Sequence, residues 1–395
     1  MAQPAPCRAS ASSRLLRALP LLLVAARAAQ PGVPAASPLV AWSGRYAVLA
    51  DGASVACDWA SAAAALAVAG GAAGDATLTV RTAATFAPSL AGRLVVYVNG
   101  FEAANVLVPA GPQAFLVAAA LPANVTSNVT VVYAMEQVLS GASATAFMVF
   151  SGFDVGGGGS LAAPPRQLRR LDVVGDSITA GASYDRMESV HGNFSLGGHC
   201  APWCPLYGYS QTGAWQTHVA RFFDANLSTT AWSGKGLIHN SGCKPGPTMP
   251  TLYTTTFGAN PDAAPWAFSR SSRPDAVIVF LGTNDYGCNE TTDAAFTAAL
   301  VQFFHNVTAL YAASPPSPSG RDGIVFVPAL GPISPTKPLA AIRAAVAQAV
   351  AEGLQAAILD MTGGVLDGCG GHPGPYGHFE MAAAAAPQLQ AILGW

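Results

Sequence analysis

Short apolar runs alternate with polar and turn residues over positions 42–153. Leu78-Thr79-Val80-Arg81-Thr82, Leu94-Val95-Val96-Tyr97-Val98, Ala114-Phe115-Leu116-Val117 and Val129-Thr130-Val131-Val132-Tyr133 have the length and composition of strands. Asn99-Gly100 after the second run marks a turn. Phe147-Met148-Val149-Phe150 reads as a closing strand. Residues 60–73 are alanine-rich like a helix, but Gly70-Gly71 interrupts them and their neighbours are β-like, so strand and turn are expected. Many short strands without long helices predict an all-β sandwich, jelly-roll-like, over residues 40–155. Gly156-Gly157-Gly158-Gly159-Ser160 and Pro164-Pro165 then read as a linker over 156–167. A phosphate-cradling loop would need Lys-Ser/Thr after its glycines, and none follows here.

The period changes over residues 168–395. Candidate strands at 171–175, 228–232, 275–281, 323–329 and 356–361 alternate with candidate helices at 211–225, 291–312, 337–353 and 377–392. That alternation predicts an α/β unit, a parallel sheet with helices on both faces. Ligands of such sheets bind at the carboxyl ends of the strands.

Composition sets the outer limits. The chain has 395 residues, 51% of them apolar and 10% charged, enough to bury large cores and unlike a disordered chain. The net charge of −2 and the lack of a basic run give no electrostatic support to a nucleic-acid partner. Residues 1–29 read as a secretory signal: Arg8 and Arg14, then an apolar segment from Ala18, then Ala26-Arg27-Ala28 as a cleavage site. The apolar run is too short to span a bilayer, so a secreted, extracellular chain with no membrane attachment after cleavage is expected. Sequons begin at Asn124, Asn128, Asn193, Asn226, Asn289 and Asn306, consistent with a glycoprotein. Cys7 would leave with the signal. Cys57, Cys200, Cys204, Cys243, Cys288 and Cys369 remain, an even number that suggests disulfides of unspecified connectivity. Cys57 has the alternative reading of a buried thiol in a strand.

Four segments follow predicted strands or precede the last helix. They are Gly175-Asp176-Ser177-Ile178, Trp232-Ser233-Gly234-Lys235-Gly236, Gly282-Thr283-Asn284-Asp285 and Gly371-His372-Pro373. Acyl transfer from oxygen needs a nucleophile, a base and donors for an oxyanion. Ser177 supplies a hydroxyl, and a helix starting after it would aim free N–H groups at the substrate. His372 can take the hydroxyl proton and pass it to a leaving alcohol. The N–H groups of Ser177 and Gly234 and the amide of Asn284 can serve an oxyanion. No residue pattern requests a metal or another cofactor.

In combination and order these segments resemble the blocks of the SGNH hydrolase superfamily, named for its Ser, Gly, Asn and His. The resemblance implies a flavodoxin-like three-layer α/β/α fold and the roles just given to Ser177, Gly234, Asn284 and His372. An all-β unit ahead of such a domain resembles carbohydrate esterase family two. Trp232-Ser233-Gly234-Lys235-Gly236, Met135-Glu136-Gln137 and the run from Leu171 to Ser177 are similar to stretches of that family. The similarity runs loosely from about Gly44 to the C-terminus. It implies removal of O-acetyl groups from polysaccharides such as xylan or glucomannan. One position departs from the superfamily, which commonly has Asp three residues before the catalytic His. Here Cys369 stands there. A Ser–His dyad with a backbone carbonyl holding the imidazole is therefore expected, with Asp367 as the alternative orienter. For Cys369 a disulfide to Cys288 or Cys243 is expected rather than a thiol nucleophile.

Other residues have plainer readings. His378 is expected to pack or cap rather than act as a second base. Asp176 and Asp285 are expected to brace their turns. Trp203, Tyr207, Tyr209 and Trp215 suit either a sugar platform or a core, and His191 and His199 have no assigned role. Two further functions remain open from the sequence: a carbohydrate O-acyltransferase using the same serine, and a glycan-binding protein with a decayed site.

Overall fold

The computed structural model describes residues 32–71, 75–86, 91–135, 147–182, 210–260, 264–270, 272–333 and 335–395. The expected signal segment, Cys200, Cys204, His191, His199, Trp203, Tyr207, Tyr209, the Asn193 sequon, Glu136 and Gln137 lie outside the described residues, as does the Cys369 side chain.

Among the described residues, twelve strands form the first half. They are β1 (Val33–Pro34), β2 (Ala41–Ser43), β3 (Ala47–Val48), β4 (Val55–Cys57), β5 (Ala63–Ala69) and β6 (Ala76–Ala84). The rest are β7 (Ala91–Val98), β8 (Phe101–Pro109), β9 (Gly111–Leu121), β10 (Thr126–Tyr133), β11 (Met148–Gly156) and β12 (Ser160–Ala162). One antiparallel sheet runs β3-β4-β11-β6-β9 with β1 beside β11. The other runs β12-β5-β10-β7-β8 with β2 beside β5. Alternation dictates the packing: in β6 every second residue is buried, beginning at Ala76. Leu78, Val80, Phe150 and Phe153 of one sheet share a single core with Leu66, Leu94, Val96 and Val131 of the other.

Two details differ from the sequence reading. β8 is a strand the apolar pattern did not announce, because its burial is low along most of its length. The glycine run is a turn, since β12 follows it and pairs with β5 in the opposite sheet. Only the residues after Ala162 can then bridge to the next unit.

The second half holds β13 (Arg169–Gly175), β14 (Ala225–Ala231), β15 (Ala276–Phe280), β16 (Val325–Leu330), β17 (Gln355–Ala356) and β18 (Leu359–Asp360). Their order is β14-β13-β15-β16-β17, all parallel, with β18 also on β16. The helices are α1 (Trp215–Phe222), α2 (Met249–Tyr253), α3 (Asp293–Leu310), α4 (Leu339–Ala351) and α5 (Pro375–Leu393). Side chains of α2, α3 and α4 pack with Val174, Val277 and Val279. Those of α1 and α5 pack with Leu171, Val173 and Ile278 on the other face. The strands are buried on both faces, which explains their unbroken apolar runs. The order reverses direction at β13, so the crevice between β13 and β15 opens at the carboxyl edge, beside Ser177. The single predicted strand at 356–361 is two short ones, and α2 was not foreseen, its Met-Pro start giving no periodic signal.

The two units meet over an apolar and charged seam. Arg45 of the first unit is 1% exposed. Its guanidinium carbon lies 4.7 Å from the Tyr253 ring centroid, 4.9 Å from Trp266 and 4.8 Å from Phe268 of the second. Ring faces take the place of water for this buried cation. Tyr253 and Tyr311 donate their hydroxyls to the buried Asp172 carboxylate at 2.6 and 2.9 Å. Burial and the Asp172 charge push both phenols well above their ordinary range.

Candidate active site

β13 delivers Asp176 and Ser177 to the carboxyl edge of the sheet. A conditional helix after Ser177 is reduced to one turn. The N–H of Ala180 donates to the Asp176 carbonyl at 2.9 Å, and the chain then turns at Gly181 with φ +70°. Asp176 is 1% exposed, and its Oδ1 accepts the N–H of Ile178 at 3.1 Å. This carboxylate braces the turn that presents Ser177.

The last segment arrives from 195 residues away. His372 Nε2 lies 2.8 Å from Ser177 Oγ. Its Nδ1 lies 3.2 Å from the Gly370 carbonyl oxygen. With Nδ1 as the donor, Nε2 is left as an acceptor for the serine hydroxyl. Asp367 Oδ1 accepts the N–H of Gly374 at 2.6 Å and of Gly377 at 2.9 Å. Those donors lie at the start of α5, where a carboxylate offsets unpaired N–H groups.

The second and third segments are joined by a carboxylate. Asp285 is fully buried and accepts three backbone N–H groups: Leu237 at 3.0 Å, Ile238 at 2.7 Å and His239 at 3.0 Å. Gly236 makes room for it, since a Cβ there would stand 2.0 Å from the His239 carbonyl oxygen and 2.5 Å from Asp285 Oδ2. Asn284 Nδ2 donates to the Lys235 carbonyl at 2.8 Å and to Asp176 Oδ2 at 3.2 Å. Both amide hydrogens thus have acceptors, and the longer bond is the one that could be exchanged for an oxyanion. Gly234 sits at φ +78°, a left-handed backbone that a side chain would strain. Cys243 and Cys288 form a disulfide between the same two loops. Both partners considered for Cys369 are therefore taken by each other, and that expectation is corrected. His239 and Glu290 lie beside Cys288, but its sulfur is in the disulfide and is no thiolate ligand.

The residues given plainer readings fall as follows. Trp215 is fully buried and packs edge-on against Phe280, so it is core. Cys57 is a buried free thiol. Fully buried His378 accepts the Trp215 N–H on Nδ1 at 3.3 Å, at the start of α1. Burial pushes its imidazole down to about 3, and the His218 and His372 rings add to the effect. The unfolded chain takes up the proton near 6.5 and the folded chain does not. His378 thus contributes stability above about 6.5 that is lost as pH falls toward 3. Between pH 7 and 5 the wild type should lose Tm that His378→Gln keeps. Parallel melting curves at the two pH values check this.

Sequence reasoning expects a backbone carbonyl behind the imidazole but does not say which one, and the structure puts the Gly370 carbonyl there. It missed one contributor. That is a contact from the first unit, Trp59 against Trp232. A cavity of about 800 Å³ also lies between the units, lined by Asn99, Asn128, Arg166, Gln167 and Arg221 among others. Its lining includes none of Ser177, Gly234, Asn284 and His372, so the chemistry, not the volume, locates the site.

No family model matches the chain. The cellulase/esterase CelE of Acetivibrio thermocellus is 30% identical over 167 residues, 41% of this chain and 18% of that protein. An acetylxylan esterase / glucomannan deacetylase of Cellvibrio japonicus is 30% identical over 127 residues, 32% of this chain and 32% of that protein. The chain thus spans at most about a third of the length of these curated relatives. A family two carbohydrate esterase from Clostridium thermocellum, solved in complex with cellohexaose, superposes with a TM-score of 0.71 at 21% identity. That match covers 90% of this chain and 99% of the other, and it shows the fold. The resemblance read from the motifs is borne out: the curated relatives are named as esterases and solved structures with this fold as family two carbohydrate esterases.

Proposed function

We propose that the chain is a secreted serine esterase that removes O-acetyl groups from polysaccharides of the xylan or glucomannan type. The observation that carries it is the 2.8 Å contact between Ser177 Oγ and His372 Nε2 at the carboxyl edge of the sheet. Relatives named as acetylxylan esterases support the substrate class. The Cys243–Cys288 disulfide supports an oxidising compartment.

In the first half-reaction Ser177 Oγ attacks the acetyl carbonyl carbon while Nε2 takes the hydroxyl proton. The carbonyl oxygen becomes an oxyanion, received by the N–H groups of Ser177 and Gly234. Asn284 joins them by giving up its 3.2 Å bond to Asp176. The tetrahedral adduct collapses, the bond to the sugar oxygen breaks, and Nε2 returns the proton to that oxygen. Water then attacks the acetyl-serine, losing its proton to Nε2. The adduct collapses, the bond to Oγ breaks, Nε2 returns its proton to Oγ, and acetic acid leaves and loses its remaining acidic proton to solvent as acetate. The Gly370 carbonyl holds the imidazole at Nδ1 throughout.

The dyad reading makes a sharp prediction at Asp367. Asparagine keeps an acceptor for the Gly374 and Gly377 N–H groups, so Asp367→Asn should hold kcat within about tenfold of wild type. A carboxylate that oriented the ring would instead cost about 10⁴ in kcat on this change. Steady-state hydrolysis of an aryl acetate decides between the two values.

The function itself is tested by acetate release from acetylated xylan and glucomannan. Release by the intact chain supports the reading. Folded protein that binds these glycans without releasing acetate from them or from an aryl acetate would replace it with a glycan-binding role.

A further inference from the structure

The turn between β4 and β5 carries Asp58 and Trp59 out of the first unit and into the second. The turn is tight: Ser61 adopts φ +73°, and its N–H donates to the Tyr133 carbonyl at 2.7 Å. Trp59 is 3% exposed, yet its neighbours are not those of its own sheets. It packs in the cluster that contains Val174, Leu237, Met249 and Leu252 of the parallel-sheet unit. Its ring meets the Trp232 ring edge to face, with centroids 6.2 Å apart and planes at 77°. Trp232 begins the turn that contains Gly234. Its N–H donates to the Gly175 carbonyl at 3.2 Å, and its own carbonyl accepts the Lys235 N–H at 3.2 Å. The Lys235 ammonium stands 5.1 Å from the Trp232 ring centroid.

Asp58 sets the depth of this insertion. Its two carboxylate oxygens accept the N–H groups of Gly258 at 3.1 Å and Ala259 at 2.9 Å. Gly258 has no room for a side chain there. A Cβ would stand 2.8 Å from Trp59 and 3.2 Å from Trp232. One carboxylate and one indole of the first unit thus hold a strand of loop and a ring of the second.

We infer that Trp59 is a positioning residue for the reaction at Ser177, setting the orientation of the Gly234 N–H through the Trp232 ring, with Asp58 as its anchor. The inference rests on the esterase reading above. The physical reason is leverage. The 232–235 turn is closed within itself by one backbone hydrogen bond of 3.2 Å; its far end is tied by the Ser241 N–H on the Gly234 carbonyl at 2.7 Å and the Asn284 amide on the Lys235 carbonyl at 2.8 Å, so the packing of Trp232 sets the tilt of its near end. A donor misplaced by about 1 Å can cost about 10²-fold in rate, although the contact lies far from the reacting atoms. This also gives the first unit a part in the chemistry without any contact to substrate.

The test compares Trp59→Ala, Trp59→Phe and Ser177→Ala with the wild type on an aryl acetate. Trp59→Ala should lower kcat about 10- to 100-fold with KM within about twofold, and Trp59→Phe should restore most of kcat. Amide hydrogen exchange supplies a readout free of turnover. In Trp59→Ala the segment 232–236 should exchange faster, with Trp59→Phe close to wild type. If Trp59→Ala fails to fold, Asp58→Asn carries the comparison: lower kcat with faster exchange at 232–236 supports the inference, and wild-type kcat and exchange overturn it. Wild-type kcat in Trp59→Ala with unchanged exchange at 232–236 overturns the inference and leaves the esterase reading standing. A wild type no more active than Ser177→Ala overturns the esterase reading, and the inference falls with it.

Discussion

Ser177→Ala should lower kcat for acetate release by about 10⁴-fold or more while leaving the melting temperature within about 2 °C of wild type. The size follows from the role proposed. Without Oγ there is no acyl-enzyme, and the remaining oxyanion donors act only on direct attack by water. The small structural effect follows from the position. The hydroxyl is half-buried at a sheet edge, and the turn that carries it is held by Asp176 and backbone bonds rather than by Oγ. Loss of an edge hydroxyl creates no sizeable core cavity. Acetate assays and melting curves on the same preparation measure both halves. Activity retained in this variant would remove the serine from the mechanism.

The second large effect is expected at Asp285. Asp285→Ala leaves the N–H groups of Leu237, Ile238 and His239 without their acceptor, at about 1–3 kcal/mol for each one that stays dry. Water can enter part of the space, so the net change should be a Tm lower by about 5–10 °C. Activity should fall further than stability suggests, by about 10²-fold, because the loop that loses its anchor carries Gly234 at its start. Asp285→Asn should recover part of both losses, since its carbonyl still accepts. Equal activity in Asp285→Ala and wild type at a temperature where both are folded would show that the 236–239 loop plays no part in turnover.

Most of the site was legible because its chemistry sits at strand ends. Apolar runs such as Val277-Ile278-Val279-Phe280 locate the strands, and the residues that follow them must share one edge of a parallel sheet. Ser177 and His372 meet there although 195 residues separate them. What could not be read was which partners meet, the Gly370 carbonyl among them. Asn284 reads as an oxyanion donor, but the acceptors that hold its amide at rest, the Lys235 carbonyl and Asp176, leave no mark in the sequence. Cys369 looked like a partner for Cys243 or Cys288, yet those two are the pair, and spacing does not encode which loops touch. β8 escaped notice because an outward strand lacks the apolar signature. Asp58-Trp59 escaped for the opposite reason: a turn between two buried strands suggested no destination beyond its own unit.

The bond between Cys243 and Cys288 has a consequence for how the protein can be made. It closes a stretch of 45 residues and fastens the loop after Gly234 to the loop after Asn284. Such a link removes freedom from the unfolded chain, with a stabilising effect of about 4 kcal/mol for a loop of this length. Material produced in a reducing cytosol would start without it. That material should melt lower and show reduced turnover until oxidised, although its sequence is unchanged. Two batches from different hosts could therefore disagree on activity for a reason invisible to mass measurements at low precision, a difference of two hydrogens. A thiol count before each assay tells them apart.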